Sequence, residues 1–428
     1  MLFRSTLAIF EIDRGTGRLT DVTATDLSDP AFSIFGVDDG EATAYGLATY
    51  RSHVDGKLYA FTTQADGAAI AQLELKDAGD GTVTGEVVRT IPLPVPDGED
   101  PADFQSEGIA VDRETGIVYV TVEEEIGLVR FGAEPTDPAE VEVVVDIDAP
   151  FFTPDLEGVA ILYGRDGAGA LVVSSQGDAS FAVFDRETYE HLGSFAIGPE
   201  GGIDGVEESD GLDIFAAALG DSFPDGLLVT QDGSNEPQVV FGDPEDGEIQ
   251  NFNVNFKLTD LADVVGRLDL PAPDAAFDPR ARIEAGTAGN DVLRADGEGP
   301  QILLGEAGND RLLGSDDFAV LRGGEGRDTL QAGAGGARLV GGADRDVLIG
   351  GAAADVFVLD GDGPDFVRAF DPERDLIELA IAGIVDIELR DFGRNQILGV
   401  DTGEGFEDVA TILGGGVELD AIIDPFIG

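Results

Sequence analysis

Four aspartates, Asp291, Asp310, Asp328 and Asp346, follow one another at steps of 19, 18 and 18 residues, each inside a glycine-rich nonapeptide. The repeats read GTAGNDVL at 286–293, GEAGNDRLL at 305–313, GGEGRDTL at 323–330 and GGADRDVLIGG at 341–351. Glycine permits positive φ and lets carbonyls converge, the carboxylate supplies charge, and the apolar residue two places later fills an interior. Leu293, Leu312, Leu330, Leu348 and Phe357 hold that inward position. Repeats of this kind wind into a parallel β-roll, one turn and one short strand per nonapeptide. Successive turns alternate between two edges, so a period near 18 puts the four aspartates on one edge. Half-way between them stand Pro300, Ala319 and Ala337, until Asp355 restores an acid nine residues after Asp346. The spacing predicts a roll over 286–358 with one cation-competent edge, and a glycine-rich linker has no reason to keep Asp and Leu in phase.

The chain of 428 residues carries 86 Asp plus Glu against 25 Lys plus Arg, a formal charge of -61. That balance excludes a nucleic-acid backbone or an anionic membrane surface as partner, and makes cations the expected company. With no cysteine, disulfides and thiolate metal sites are excluded, which leaves oxygen ligands and a hard cation such as calcium. A salt-adapted surface would also use acids, and only Lys57, Lys76 and Lys257 are lysines, so the placement of the acids has to decide. No stretch approaches a membrane-spanning apolar run. The start, MLFRST, lacks the basic segment, apolar core and cleavage site of a signal peptide, so none is expected to be cleaved.

Residues 1–270 read as short alternating strands broken by Gly and Asp turns, with no helical run of any length. A loose repeat starts at Gly46, Gly108, Gly158 and Gly211, at steps of 62, 50 and 53 residues. Each unit holds about four short strands, the size of a propeller blade, and four or five blade equivalents are visible. Residues 271–285 read as a linker, and 359–428 as a C-terminal cap of further strands. Polar clusters stand at strand ends: QSEG at 105–108 with EEE at 123–125, TPDLEG at 153–158, SSQG at 174–177, DGVEESDGLD at 204–213 and QDGSN at 231–235. Equivalent blade positions face one central channel, where converging carboxylates repel and call for bound cations. His191, one of two histidines, lies in a strand context and reads as structural.

The phrases YGLATY at 45–50, QSEGIAVD at 105–112, TPDLEGVAILYGRDGAGALVVSSQG at 153–177 and DGVEESDGLDIFAAALGDSFPDGLLVTQDGSN at 204–235 together resemble the β-propeller phytases over about residues 6–270. The stretch DFVRAFDPERDLIEL after the repeats resembles the closing segment of hemolysin-type (RTX) calcium-binding exoproteins, a likeness covering about 286–390. The first resemblance implies an all-β, six-bladed-type propeller that hydrolyses phytate or calcium phytate with metal-activated water, here with its first blade or two missing. It implies catalytic carboxylates at Glu107, Asp155 and Asp210 and substrate contacts at Tyr45 and Arg4. It further implies calcium ligands at Glu107, Glu123, Asp155, Glu157, Gln176, Asp204, Asp210, Asp232 and Asn235. The roll's own expected ligands are Asp291, Asp310, Asp328, Asp346 and Asp355. The second resemblance implies secretion by type I machinery without a cleaved signal peptide, and a monomer is expected. Where the phytase pattern carries a lysine followed by an acid, this chain has Ala65 and Asp66. Two other readings stay open at this point: a non-catalytic secreted calcium-binding protein, and a propeller lactonase or other metal-dependent hydrolase.

Overall fold

The computed structural model describes residues 7–13, 15–24, 34–35, 44–53, 56–164, 168–220, 223–233, 240–242, 249–251, 254–268, 270–274, 281–295, 301–359, 361, 363–379, 381, 384–403, 405–414 and 422–423. The chain divides into two compact units, Met1–Phe277 and Asp278–Gly428.

Near-continuous apolar runs such as IVYVTV at Ile117–Val122 do not suit a sheet with one wet face. The first unit buries them by packing antiparallel sheets face to face in chain order. The first sheet is Ala44–Arg51, Leu58–Gln64, Ala69–Asp77 and Val83–Pro92; the second is Ser106–Asp112, Ile117–Val122, Gly127–Gly132 and Glu142–Asp146. The third is Leu156–Tyr163, Gly169–Ser175, Ser180–Asp185 and His191–Phe195, and the fourth has three strands, Leu212–Phe215, Leu227–Asp232 and Asn255–Asp260. Two hairpins, Phe10–Ile12 with Leu19–Asp21 and Val240–Gly242 with Ile249–Asn251, accompany them. Alternate residues of an inner sheet enter different cores. Val118, Val120 and Val122 pack with Tyr50, Phe61 and Ile91 of the first sheet, whereas Tyr119 joins Leu156, Ile161 and Phe184 of the third. Leu162, Val172 and Phe181 then pack with Leu228 of the fourth. Each such large buried side chain contributes about 1.5–3 kcal/mol.

The repeat glycines mark where the leading strands of neighbouring sheets meet. A β-carbon on Gly46 would lie 2.0 Å from the carbonyl oxygen of Glu107, and one on Gly108 would lie 2.1 Å from that of Glu157. One on Gly158 would lie 3.0 Å from the Cα of Gly211. Register slips at the same places, between Ala44 and Leu47, Ser106 and Ile109, and Leu156 and Val159. Such bulges re-aim the side chains they contain, here those of Tyr45, Glu107 and Glu157.

The first unit is not free of helix. Leu261–Leu268 is an α-helix whose Leu261 and Val264 are buried, with Val265 and Leu268 packed alongside on the core between the third and fourth sheets. The side chain of Asp260 accepts the Ala262 N–H at 3.1 Å at its start. Its two turns are too short to stand out from the strands before them. In the stretch read as a linker, Asp274 N–H donates to the Tyr163 carbonyl at 2.8 Å, and Arg282–Ala285 is already a strand paired with Gln301–Leu304.

The second unit is a parallel roll. One sheet stacks Arg282–Ala285, Gln301–Leu304, Ala319–Glu325, Ala337–Ala343, Val356–Leu359 and Leu376–Leu379. The other stacks Val292–Arg294, Arg311–Leu313, Thr329–Gln331, Val347–Ile349 and Asp365–Arg368. Leu312, Leu330, Leu348 and Phe357 are fully buried in one interior and Leu293 nearly so. Beyond it the antiparallel strands Asp386–Phe392, Asn395–Asp401 and Phe406–Ile412 extend the second sheet.

Gly108→Ala should therefore destabilise the first unit by about 1–3 kcal/mol or more through overpacking. Gly266→Ala, in the helix with open space around its Cα, should stabilise it by about 0.5–1 kcal/mol. Calcium-free thermal melts followed by circular dichroism read both; equal melting temperatures would contradict the close approach of the leading strands.

Candidate active site and cation-binding edge

The residue before each repeat glycine is Tyr45, Glu107, Glu157 and Asp210 in turn. Because these positions recur at the meeting points of the leading strands, the fold gathers their side chains. Carboxylate oxygens of Glu107, Glu123 and Glu157 all lie within 4.8 Å of one another. The Tyr45 hydroxyl hydrogen-bonds to Glu107, and burial together with that carboxylate pushes its pKa up. Gln105 Nε2 donates to Glu107 at 3.1 Å and to Glu123 at 2.7 Å, while Gln176 Nε2 donates to Asp210 at 2.7 Å. Asp155 holds the end of the third sheet's leading strand: its N–H donates to the Glu123 carbonyl at 3.0 Å and its own carbonyl accepts from Gln176 at 2.8 Å. It adopts φ 100°, while Asp66 and Glu208 adopt φ 51°, so three acids in and beside the cluster sit in left-handed backbone that non-glycine residues avoid.

The cluster is crowded with like charge. Desolvation, reinforced by Glu107, pushes Glu123 up to about 7 and Glu157 up to about 10. Asp155 and Asp210 are also raised, again by burial first and then by neighbouring carboxylates. An all-oxygen, partly buried set with this much uncompensated charge matches the donor chemistry of calcium.

Tyr45, Glu107, Glu123, Asp155, Glu157, Gln176 and Asp210 are thus brought together. Asp204 and Asp232 take another arrangement: the Lys257 ammonium lies 2.6 Å from an oxygen of Asp204 and 2.7 Å from one of the buried Asp232. Arg4 and Asn235 lie outside the described residues. His191 stacks on Phe151 at 4.0 Å. Gln105 had been visible only as part of a polar phrase; its role depends on its reach to two carboxylates and, through its side-chain oxygen, to the Asp66 N–H at 2.8 Å.

In the roll the aspartates form a ladder. Asp291, Asp310 and Asp328 each donate their N–H to Oδ1 of the next rim aspartate at 2.7 Å, and Asp346 donates to Asp365 at 2.9 Å. The Oδ2 atoms of Asp310 and Asp328 are buried and have no hydrogen-bond partner among the described residues. Asp328 is pushed up to about 6, mainly by burial. On the other edge Asp355 accepts from Ala337 at 2.8 Å and from Gly351 at 2.6 Å, and donates to Asp375 at 3.1 Å. Asp365 and Asp375, which continue the two ladders, escaped the sequence reading because they lie in 359–428, the stretch read as a C-terminal cap.

Antiparallel sheets that converge acids at their leading strands, followed by a parallel roll with a rim of aspartates, define an acidic, repeat-built β protein equipped for hard cations. The phytase family model matches residues 3–284, and the RTX calcium-binding nonapeptide repeat model (4 copies) matches 296–317, 313–336 and 333–364. The chain belongs to the phytase family and carries RTX calcium-binding repeats. It is 31% identical over 279 residues to the 3-phytase of Bacillus subtilis (strain 168), covering 65% of this chain and 65% of that protein. The chain therefore spans just under two thirds of that relative's length. Among solved structures, the calcium-binding protein regucalcin of Agrobacterium tumefaciens str. C58 is 12% identical with TM-score 0.33, covering 54% of this chain and 63% of that one. The AlgE6R3 subunit of the Azotobacter vinelandii mannuronan C5-epimerase is 22% identical with TM-score 0.21, covering 36% and 88%. Likenesses at that level leave the fold to be argued from the sheets themselves. No helix among the described residues is long and apolar enough to cross a membrane.

The raised acids fix a sign for pH. Glu123 and Glu157 bind their protons more tightly in the folded chain than in the unfolded one. Between the ordinary glutamate value and about 7 for Glu123, or about 10 for Glu157, the folded state holds more protons. Calcium-free stability is therefore highest at the acid end of this window and falls as pH rises through it. The melting temperature without calcium should drop by several degrees between pH 5 and pH 8, and saturating calcium should remove the drop. A calcium-free curve that is flat or rises would show that the carboxylates do not repel as placed.

Proposed function

We propose that the first unit hydrolyses phosphomonoesters of phytate, with calcium as cofactor, on a propeller of the six-bladed type. We infer that the roll binds further calcium in a protein secreted through type I machinery. The observation that carries the reading is the convergence of Glu107, Glu123 and Glu157 oxygens within 4.8 Å, in a chain of the phytase family.

Phytate is a polyanion, and carboxylates alone would repel it. Calcium held by these residues would supply the positive charge that offsets the phosphates and the Lewis acidity that activates a water. The chain's own residues supply position. Gln105 holds Glu107 and Glu123 together, Gln176 holds Asp210, and the left-handed backbone at Asp155 keeps that carboxyl beside them. Glu107, Asp155 and Asp210 are the carboxylates proposed to face the reacting phosphate. Glu123, Glu157 and Gln176 complete the proposed cation ligands. Tyr45, whose hydroxyl is tied to Glu107 and which is 53% exposed as a residue, can line the path of the substrate. Asp204 and Asp232, held together by Lys257, are assigned a structural role at the end of the fourth sheet, with Asn235 in the same segment.

One observation favours a second reading, a non-catalytic secreted calcium-binding protein. Ala65 stands where the phytase pattern has a lysine, so a cationic contact to phosphate is missing there.

Release of inorganic phosphate from calcium phytate by the purified chain tests the first reading. Activity should vanish in EDTA and return with calcium, and Asp210→Asn should lower it by about 10²-fold or more. Calcium binding without phosphate release would overturn the catalytic reading in favour of the second.

A further inference from the structure

In the roll, the residue two places before each rim aspartate forms a column through successive coils: Gly289, Gly308, Gly326, Asp344 and Gly363. The parallel register, in which Thr329 pairs with Val347 and Val347 with Phe366, aligns Gly326, Asp344 and Gly363. Crowding explains the glycines. A β-carbon on Gly326 would lie 1.8 Å from the Gly308 carbonyl oxygen, and one on Gly363 would lie 1.7 Å from that of Asp344. The backbone here is also left-handed, with φ 125° at Gly308 and 112° at Gly326. Asp344 carries a side chain at this place all the same, at φ 77°.

A strained non-glycine residue in a column built for glycine points to something its side chain does. Asp344 is exposed on the rim, and the parallel register sets it beside Gly326, two residues before Asp328, the rim aspartate of the preceding coil. Asp328 is 1% exposed, and its Oδ2 has no hydrogen-bond partner among the described residues. That atom faces the start of its own turn, where a β-carbon on Gly323 would come within 2.3 Å of it. The neighbouring Arg345 is engaged elsewhere, with Nε donating to the Pro364 carbonyl at 3.1 Å and its guanidinium over the Phe366 ring.

We propose that Asp344 adds a carboxylate to the divalent-cation site at Asp328, making the pair of turns 323–328 and 341–346 the tightest cation site of the roll. The inference rests on the reading of the roll as calcium-binding and goes beyond it, since the other coils place glycine at this position. Added negative charge in an oxygen-ligand site raises calcium affinity. The strain is the cost of putting that charge where glycine would otherwise stand.

Calcium titration of the full chain by calorimetry, with calcium-free melts in parallel, tests it in four proteins: wild type, Asp344→Asn, Asp344→Gly and Asp328→Asn. Asparagine tolerates left-handed backbone and removes only the charge, so Asp344→Asn should weaken the tightest roll site by roughly tenfold with little change in the calcium-free melting temperature. Asp344→Gly should weaken it equally and raise the calcium-free melting temperature, because the strain is relieved. Asp328→Asn should remove that site from the titration. If Asp328→Asn removes it while both Asp344 variants bind like wild type, the proposal is overturned and the calcium-binding reading of the roll stands. If Asp328→Asn leaves the titration unchanged, that reading fails, and the proposal with it.

Discussion

Both units depend on backbone approaching backbone more closely than a β-carbon allows. In the first, glycines in successive leading strands lie against the next strand's main chain, at Gly46 over Glu107 and at Gly108 over Glu157. In the second, a column of glycines stacks coil upon coil. The steric demand is severe at most of these contacts, Asp344 being the exception in the roll, and so the glycines recur at the intervals of the architecture. The acids sit beside them for a related reason: where strands crowd and bulge, the adjacent side chain is turned out of the sheet and toward its counterparts.

Convergence has an electrostatic consequence. Glu107, Glu123, Glu157, Asp155 and Asp210 are drawn together by packing that is indifferent to their charge; burial raises Glu123 and Glu157 well above the ordinary carboxylate range and shifts Asp155 and Asp210 in the same direction. The roll repeats the pattern on a smaller scale, one aspartate per coil, with Oδ1 of Asp310 and Asp328 accepting the preceding coil's N–H and their Oδ2 buried without a hydrogen-bond partner among the described residues. Charge in excess of its partners, in partly buried oxygen sites, is stored demand for a cation. The two halves of the chain thus share one chemistry despite unrelated sheets, the first antiparallel and the second parallel.

Lys257 shows that the chain can also meet this demand internally. Its ammonium between Asp204 and Asp232 takes up two acids that the sequence reading had grouped with the metal ligands. Nothing in the phrases around residues 204 and 232 points to a partner in the edge strand Asn255–Asp260. The pairing of that strand with Leu227–Asp232 decides it, by setting Asp232 opposite Asn255 and Thr230 opposite Lys257.

The local repeats made much of this legible in advance: the nonapeptide beat gave the roll, its inward leucines and its main aspartate edge, and the glycine spacing marked the leading strands of four sheets. Residues whose role depends on reach across the fold were hidden, as Gln105 was, and so were elements too short for their period to register, as with Leu261–Leu268. Asp365 and Asp375 were missed because they lie in the stretch read as a cap, and only the hydrogen-bonded ladders show the roll continuing through it. What the amino-acid order determined alone was periodicity, since steric and hydrophobic constraints act on neighbours at fixed separations. Which acids converge and which are matched to a lysine was decided only by the tertiary structure, because Coulomb interactions depend on distance in space and on burial, and neither is written in the spacing along the chain.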